Sequence, residues 1–495
     1  MKILMVTAET VPFAKTGGLA DMVSALAIQL SKMGHDVKIV MPRYYKIDRS
    51  KLTLLEGPMA IAAGQAETWS AVYTTTMPGC DSLPVYFIDH EQCFGRDGVY
   101  GVPSETDFHD NPYRFAVLNH GAFQLCRKLN WYPDIIHCHD WSACLAPAIL
   151  KHVCRYCGFE KTASVLTIHN QGYQGQYSKD SFQALGIDWG LYYGAGFEHN
   201  GGINFLQAGV SSSDMITTVS PTYAKEIQTA DGGFGMDGLL RVRSAVIKGI
   251  LNGADLKEWN PEVDKKIPAK YSVKDMKGKA ICKEELQKKM GLEVNPDIPV
   301  IGIVTRLADQ KGIAEIFAPS YGSIYQICND MRVQVVALGS GEAWCEKEMR
   351  ELQAKLPNFR CYVGYDDALS HLIEAGSDFF LMPSKYEPCG LNQIYSMLYG
   401  TLPIVRKTGG LADTVDNYNQ DTGDGTGFVF EQLTPRAIYD TVGWAVWAYY
   451  NKKDHIKKMQ QTGMKKTFGW DEAAEKYLDV YKEALFRGCG IFGIE

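Results

Sequence analysis

The sequence predicts an α/β protein made of two doubly wound, Rossmann-like halves, each with a parallel sheet. Three observations carry this prediction. Short apolar runs alternate with helix-length stretches from end to end, the alternation breaks once near residues 251–268, and one heptapeptide occurs in both halves. Such alternation argues for βαβ units, because two parallel strands need a crossover long enough to hold a helix.

In chain order, residues 2–6 read as a buried strand, 18–33 as a helix with apolar residues at helical spacing, and 35–41 as a second strand. Strands follow at 85–88 and 134–139, then a helix over 145–152 and a buried strand over 163–168. The stretch 251–268 holds Leu251-Asn252-Gly253, Trp259-Asn260-Pro261 and then several lysines. It reads as a linker, since Gly, Asn and Pro punctuate regular structure. A charged helix spans 276–290, and strands resume at 299–304, 333–338, 379–382 and 402–405. At 495 residues the chain can build large cores without disulfides or metals.

Lysine plus arginine number 50 and aspartate plus glutamate 57, a net charge of −7. This excludes a general nucleic-acid binder, which carries a basic face, and gives no cause to expect an anionic membrane as partner. No apolar run nears the roughly 18 residues of a membrane span. The apolar N-terminus, broken by Glu9 and Lys15, is too short for a secretory signal. A cytoplasmic protein is expected, and its 13 scattered cysteines read as reduced thiols. The one CxxC, Cys154-Arg-Tyr-Cys157, reads as the end of an ordinary helix.

The heptapeptide Lys15-Thr-Gly-Gly-Leu-Ala-Asp21 recurs as Lys407-Thr-Gly-Gly-Leu-Ala-Asp413. Each copy reads as a glycine turn entering a helix. Two roles stay open: a tight turn used for packing, or a cradle for an anionic ligand. Glycine admits close backbone approach, and a helix start offers free N–H groups.

Arg306 and Lys311 sit just past the strand 299–304, at the sheet edge where open α/β folds bind ligands. A guanidinium fork and an ammonium point charge together can neutralise a departing diphosphate. Glu387, in Pro383-Ser384-Lys385-Tyr386-Glu387-Pro388-Cys389-Gly390-Leu391, follows the strand 379–382 and can accept hydrogen bonds from sugar hydroxyls. In the first half, His137-Cys-His139-Asp140-Trp141 and Thr167-Ile168-His169-Asn170-Gln171-Gly172-Tyr173 follow two strands. Their spacing fits no common zinc pattern, so no metal is expected; carboxylate, amide and aromatic groups at strand ends suit sugar recognition. Gly233-Phe-Gly-Met-Asp-Gly238 matches G-x-G-x-x-G but follows a turn, so no dinucleotide site is read there. Gly339-Ser-Gly341 follows a strand and is the better candidate for approach to a nucleotide. The sequence holds no P-loop and no nucleophile elbow.

These motifs, with Thr218-Val219-Ser220-Pro221-Thr222-Tyr223 and Gly249-Ile-Leu-Asn252-Gly253, run in order along nearly the whole chain. Together they resemble the bacterial-type glycogen synthases and plant starch synthases. The resemblance implies a GT-B fold, two Rossmann-like domains facing a cleft. It divides the chain into an acceptor-side domain over 1–257, a nucleotide-sugar domain over 258–472, and a final helix within 473–495 that crosses back to the first domain. It implies transfer of glucose from ADP-glucose to the non-reducing end of an α-1,4-glucan, with retention and without metal or cofactor. UDP-glucose is the alternative donor. A catalytically silent glucan-binding protein is the other alternative, and it would have lost Arg306, Lys311 or Glu387; all three are present.

Carried over residue by residue, the resemblance implies that Arg306 and Lys311 hold the diphosphate and that Glu387 positions the donor glucose. His169 lies beside the anomeric centre, with Asn170 and Asp140 near the transferred sugar. Lys15 and Gly18 contribute to donor binding, and Asp21 contacts the nucleotide. Asn252 is a polar group near the donor, Tyr365 lies beside the base, and the Cys389, Gly390 and Leu391 backbone forms part of the donor site at a helix start. Lys311 is expected to be an exposed cation with little effect on stability. The sequence departs from the family at Gln207, where lysine is usual, and at Asn392, where threonine is usual. Tyr395 stands where related retaining enzymes carry a second glutamate.

Overall fold

The computed structural model describes residues 1–490, which divide into two units. The first comprises Met1–Asn252 with the C-terminal helix Trp470–Cys489; the second is Gly253–Gly469.

In the first unit the parallel strands run, edge to centre to edge, Ile247–Gly249, Met215–Thr218, Ala163–Ile168, Ile135–His139, Lys2–Val6, Asp36–Pro42 and Cys80–Asp89. The first strand in the chain is therefore central. Later strands extend away from it on both sides, so the strand order reverses between Lys2–Val6 and Ile135–His139. In open α/β sheets such a switch point leaves a crevice at the strands' carboxyl ends, because neighbouring loops depart in opposite directions.

The sheet is not parallel throughout. Cys80–Asp89 pairs antiparallel with Ala66–Met77, which pairs antiparallel with Thr53–Leu54 and Met59–Ala63. Of this hairpin only 85–88 is legible in the sequence as an apolar run. Ala66–Met77 buries Ser70 and Val72 on one face and turns Glu67, Trp69 and Thr75 to the other, more exposed one, so its residues alternate instead of forming an apolar run. A search for wholly apolar runs passes over it.

The second unit holds a six-stranded, wholly parallel sheet among the described residues, ordered Phe359–Val363, Gln334–Gly339, Val300–Val304, Phe379–Met382, Leu402–Arg406 and Phe428–Phe430. Its switch point lies between Val300–Val304 and Phe379–Met382. Apolar side chains cover both faces. Ile301, Ile303, Val335, Ala337, Phe379 and Leu381 pack on one side, and Val300, Val336, Leu338 and Phe380 on the other. This is why these strands read as continuous apolar runs.

Two expectations change. From Gly253 onward, the stretch read as a linker is built into the second unit. Trp259 stacks between His371 (centroids 3.7 Å apart) and Tyr395 (4.0 Å), and buried Asp264 accepts from His371 Nδ1 (2.7 Å) and the Tyr399 hydroxyl (2.5 Å). The helix expected over 145–152 is α only over Leu145–Ile149, then widens to a π-helical turn over Leu150–Cys154.

The Trp470–Cys489 helix lays Tyr477 and Tyr481, both fully buried, against His137. The Tyr481 hydroxyl lies 2.8 Å from His137 Nδ1. Tyr481→Ala is expected to destabilise the first unit by about 3–5 kcal/mol, the usual range for emptying an aromatic site. Tyr481→Phe, which keeps the volume and loses the hydrogen bond, is expected to lower stability by about 1–3 kcal/mol. Urea titration of the two variants checks the order.

Candidate active site

The predicted residues of the first unit follow strands of its parallel sheet: Lys15, Gly18, Asp21 and Asp140 follow the two strands that flank the switch point, His169 and Asn170 the next strand, and Asn252 the edge strand Ile247–Gly249. The loop after Lys2–Val6 carries buried Glu9 and leads into the first heptapeptide. Glu9 accepts from the Thr16 backbone N–H, from Thr16 Oγ1 (2.7 Å) and from the Tyr100 hydroxyl (2.8 Å). A buried carboxylate with three donors fixes the loop that follows it. Lys15 pairs with Asp21 at 2.8 Å on the surface, a contact weak enough to be exchanged for a ligand's.

Asp140 ends the neighbouring Ile135–His139 strand with φ +57° and ψ −177°, a backbone region that is nearly glycine-only. The strained turn aims its buried carboxylate at the next strand end. There Oδ1 accepts from the backbone N–H groups of His169 (2.6 Å) and Asn170 (3.4 Å). Burial pushes the Asp140 carboxyl up to about 7, the Glu9 charge adds to the rise, and the two backbone donors oppose it. His169 is buried and neutral, its pKa lowered to about 3 by desolvation. Its Nε2 lies 3.2 Å from His139 Nδ1. Asn170 is half-buried, its Oδ1 capping the Gly172 N–H. Asn252 is buried, and its Oδ1 has no partner among the described residues.

In the second unit the loops after Val300–Val304 and Phe379–Met382 are stitched together. The Lys385 N–H donates to the Gln310 carbonyl at 2.9 Å. Gly312, at φ +67°, passes so close to Pro383 that a Cβ would stand 2.1 Å from its carbonyl oxygen. This junction brings Lys311 Nζ to 2.6 Å from Glu387 Oε2, which also accepts from Ser384 Oγ at 2.8 Å. The Lys311 side chain is 19% exposed and that of Glu387 8%, so Lys311 is not the exposed cation expected from sequence. Removing it would leave a buried carboxylate without its counter-ion. Arg306, on the same loop, is exposed, and its guanidinium has no partner among the described residues. Tyr365 is exposed on the loop after Phe359–Val363. Gly390, at φ +70°, turns the chain into the helix Asn392–Leu398, with Leu391 as its N-cap and Cys389 buried behind it.

The two heptapeptides sit in opposite environments. A Cβ on Gly409 would lie 1.9 Å from the Glu387 carbonyl oxygen, and one on Gly410 1.9 Å from that of Cys389. The second copy is therefore the packing turn, and it presses the Glu387–Cys389 backbone into place. Gly17 and Gly18 meet nothing within 4 Å among the described residues, so packing does not explain the first pair.

The residues that depart from the family pattern are all engaged. Gln207 donates to the carbonyls of Glu198 (2.6 Å) and Gly196 (3.0 Å), Asn392 donates to the Val304 carbonyl, and Tyr395 stacks on Trp259. Glu258, Asp367 and His371 bring metal-type ligand atoms within 4.8 Å of one another. Lys266 supplies the cation there, at 2.7 Å from Glu258, 2.5 Å from Asp367 and 3.2 Å from His371 Nε2. Sequence reasoning passed over Glu9, Ser384 and the role of His139. Glu9 gave one usable signal, a lone acid just beyond the carboxyl end of a buried strand.

A family model for the starch synthase catalytic domain matches residues 2–242, and one for glycosyl transferases group 1 matches residues 284–460. The chain is 59% identical to a glycogen synthase of Treponema denticola, over 98% of this chain and 99% of that one. It is 44% identical to glycogen synthase 1 of Geobacter metallireducens, over 99% and 97%. Among solved structures it resembles the catalytic domain of starch synthase IV from Arabidopsis thaliana bound to ADP and acarbose. That match has a TM-score of 0.88 and 31% identity, and covers 98% and 99% of the two chains. A sucrose-phosphate synthase from Thermosynechococcus elongatus, 16% identical over 97% and 98% of the chains with a TM-score of 0.60, shares the fold.

Two outcomes are expected. Gly410→Ala should destabilise the second unit markedly in denaturant unfolding, whereas Gly18→Ala should leave stability unchanged or raise it by up to about 1 kcal/mol, as alanine favours a helix. For Asp140, the folded pKa lies above the unfolded value of 3.8. The native state then holds a proton that the unfolded state has lost, so stability falls as pH rises from about 4 to about 7. Asp140→Asn should flatten that part of the profile of melting temperature against pH.

Proposed function

Because the chain belongs to the glycogen and starch synthase family, a GT-B glycosyltransferase family, we propose that it extends α-1,4-glucans with glucose taken from ADP-glucose. The C1–O bond to the diphosphate breaks, a bond from C1 to the acceptor's 4-oxygen forms with retention, and the acceptor's hydroxyl proton leaves with ADP. The observation that carries the site assignment is the second unit's strand-end constellation: Arg306, without a partner among the described residues, and Lys311 held on buried Glu387.

In this reading Arg306 and Lys311 bind the diphosphate and stabilise its growing charge. Preorganised donors at a developing anion contribute about 2.7–4 kcal/mol each in comparable sites. Glu387 accepts from hydroxyls of the donor glucose and keeps Lys311 extended toward the phosphates. Cys389, Gly390 and Leu391 offer backbone at the same place, and Tyr365 lies against the base. The first unit, on the acceptor side, contributes Lys15, Asp21 and the uncovered backbone at Gly18 to the donor, where packing leaves room for close approach. His169, Asn170 and Asp140 surround the transferred sugar, and Asn252 adds a polar group near the donor. No helix among the described residues is long and apolar enough to cross a membrane, and the free cysteines support a reducing, cytoplasmic setting.

The test is incorporation of radiolabelled glucose into glycogen from ADP-glucose or UDP-glucose, without added metal. Incorporation chiefly from ADP-glucose is expected. Incorporation chiefly from UDP-glucose would overturn the donor assignment, and none from either, with glycogen still bound, would make the chain a silent glucan-binding protein. Arg306→Ala should lower kcat by about 10²–10³-fold with the fold intact, since its exposed guanidinium holds nothing together.

A further inference from the structure

Three buried histidines line up behind the first unit's site. His137 and His139 lie two apart on one strand and so share a face, with ring centroids 4.1 Å apart. His137 is held at both ring nitrogens, Nδ1 lying 2.8 Å from the Tyr481 hydroxyl and Nε2 2.6 Å from Thr167 Oγ1, which itself lies 2.6 Å from Thr217 Oγ1. It forms a fixed wall against His139. On the other side, His139 Nδ1 meets His169 Nε2 at 3.2 Å. His139 is fully buried, and its Nε2 has no partner among the described residues. His169 Nδ1 has none either, and His169 keeps a little exposed surface.

We propose that His139 is a positioning residue: its Nδ1–H donates to His169 Nε2 and holds His169 in the Nδ1-protonated tautomer, which presents an N–H to the transferred sugar. The count of protons fixes the tautomer. Both rings are kept neutral by burial, so each has one donor nitrogen and one acceptor nitrogen. One proton lies between them. If it belonged to His169 Nε2, His139 would carry its own on Nε2, a buried N–H with nothing to donate to. A buried N–H left without an acceptor is costly and seldom tolerated, whereas an unmatched lone pair is tolerated more often. With the proton on His139 Nδ1, the unmatched buried atom is a lone pair instead. His169 then holds its proton on Nδ1, the nitrogen that no group among the described residues uses, and becomes a donor to a sugar oxygen. The same hydrogen bond and the His137 wall fix the ring's rotation. The sugar as recipient rests on the reading of the site given above; the tautomer does not.

The test therefore has two arms. In protein labelled with ¹⁵N-histidine and free of ligand, long-range ¹H–¹⁵N spectra report the tautomer, and His169→Gln identifies the His169 signals. The Nδ1-protonated pattern is expected for wild type and for His139→Asn, whose side-chain amide can stand in for the imidazole Nδ1–H. His139→Leu takes the donor away, so the free imidazole's own preference for Nε2 competes with the cost of an unpartnered Nε2–H, and the single Nδ1-protonated pattern is expected to give way to a mixture of tautomers. An Nε2-protonated His169 in wild type overturns the proposal whether or not the protein proves to be a synthase. In the kinetic arm, His139→Leu should lower kcat about ten- to a hundredfold with little change in the donor KM, the range found when a partner that orients an imidazole in metal sites is removed. His139→Asn should recover most of that loss. Full activity in His139→Leu, or equal losses in both variants, would show that His139 serves packing alone.

Discussion

A buried carboxylate must find its charge partner within reach, and the second unit is arranged around that requirement at Glu387. Its Oε2 accepts from Lys311 and from Ser384 on its own loop, and the Lys311 contact demands that the loops after two central strands run side by side. The glycines make this approach feasible. Gly312 passes the Pro383 carbonyl, and Gly409 and Gly410 press the Glu387–Cys389 backbone from the other side, at distances that admit no Cβ. A side chain at any of the three would part the loops and strand a charge in a half-dry setting, which is why stability and chemistry are coupled here.

The first unit solves a related problem with neutral groups. Asp140 takes a strained backbone conformation and gains two backbone donors at the next strand end, while desolvation holds its proton affinity near neutrality. The histidines behind it are all pushed to the neutral form by burial. A row of uncharged imidazoles is a set of hydrogen-bond directions rather than charges. The C-terminal helix completes the row through Tyr481, so a segment at the far end of the chain helps set the rigidity of strand ends near its beginning.

Much of the architecture is legible in residue order. Strands buried on both faces, such as Val300–Val304 and Ala163–Ile168, show as unbroken apolar runs, and the residues just beyond them occupy the sheet edge where ligands bind. Arg306, Lys311, Glu387, Asp140 and His169 could be placed there from position alone. The hairpin strand Ala66–Met77 escaped because half of it faces water. The stretch around Trp259 and Asp264 was misjudged because its turn residues conceal an aromatic stack and a buried carboxylate whose partners lie beyond residue 370.

The sequence by itself determined the two-sheet α/β design, the family and the strand ends that carry the chemistry, since these depend on local periodicity and short motifs. The tertiary structure alone decided how those residues are used. The same seven residues form a packed turn at 407–413 and an uncovered one at 15–21, because one faces the Glu387 loop and the other faces no such neighbour among the described residues. Lys311 became a half-buried ion-pair partner through a carboxylate 76 residues away, and His137 a fixed wall through a tyrosine 344 residues away. Burial and hydrogen-bond partnership arise from segments distant in the chain, and no local pattern encodes them.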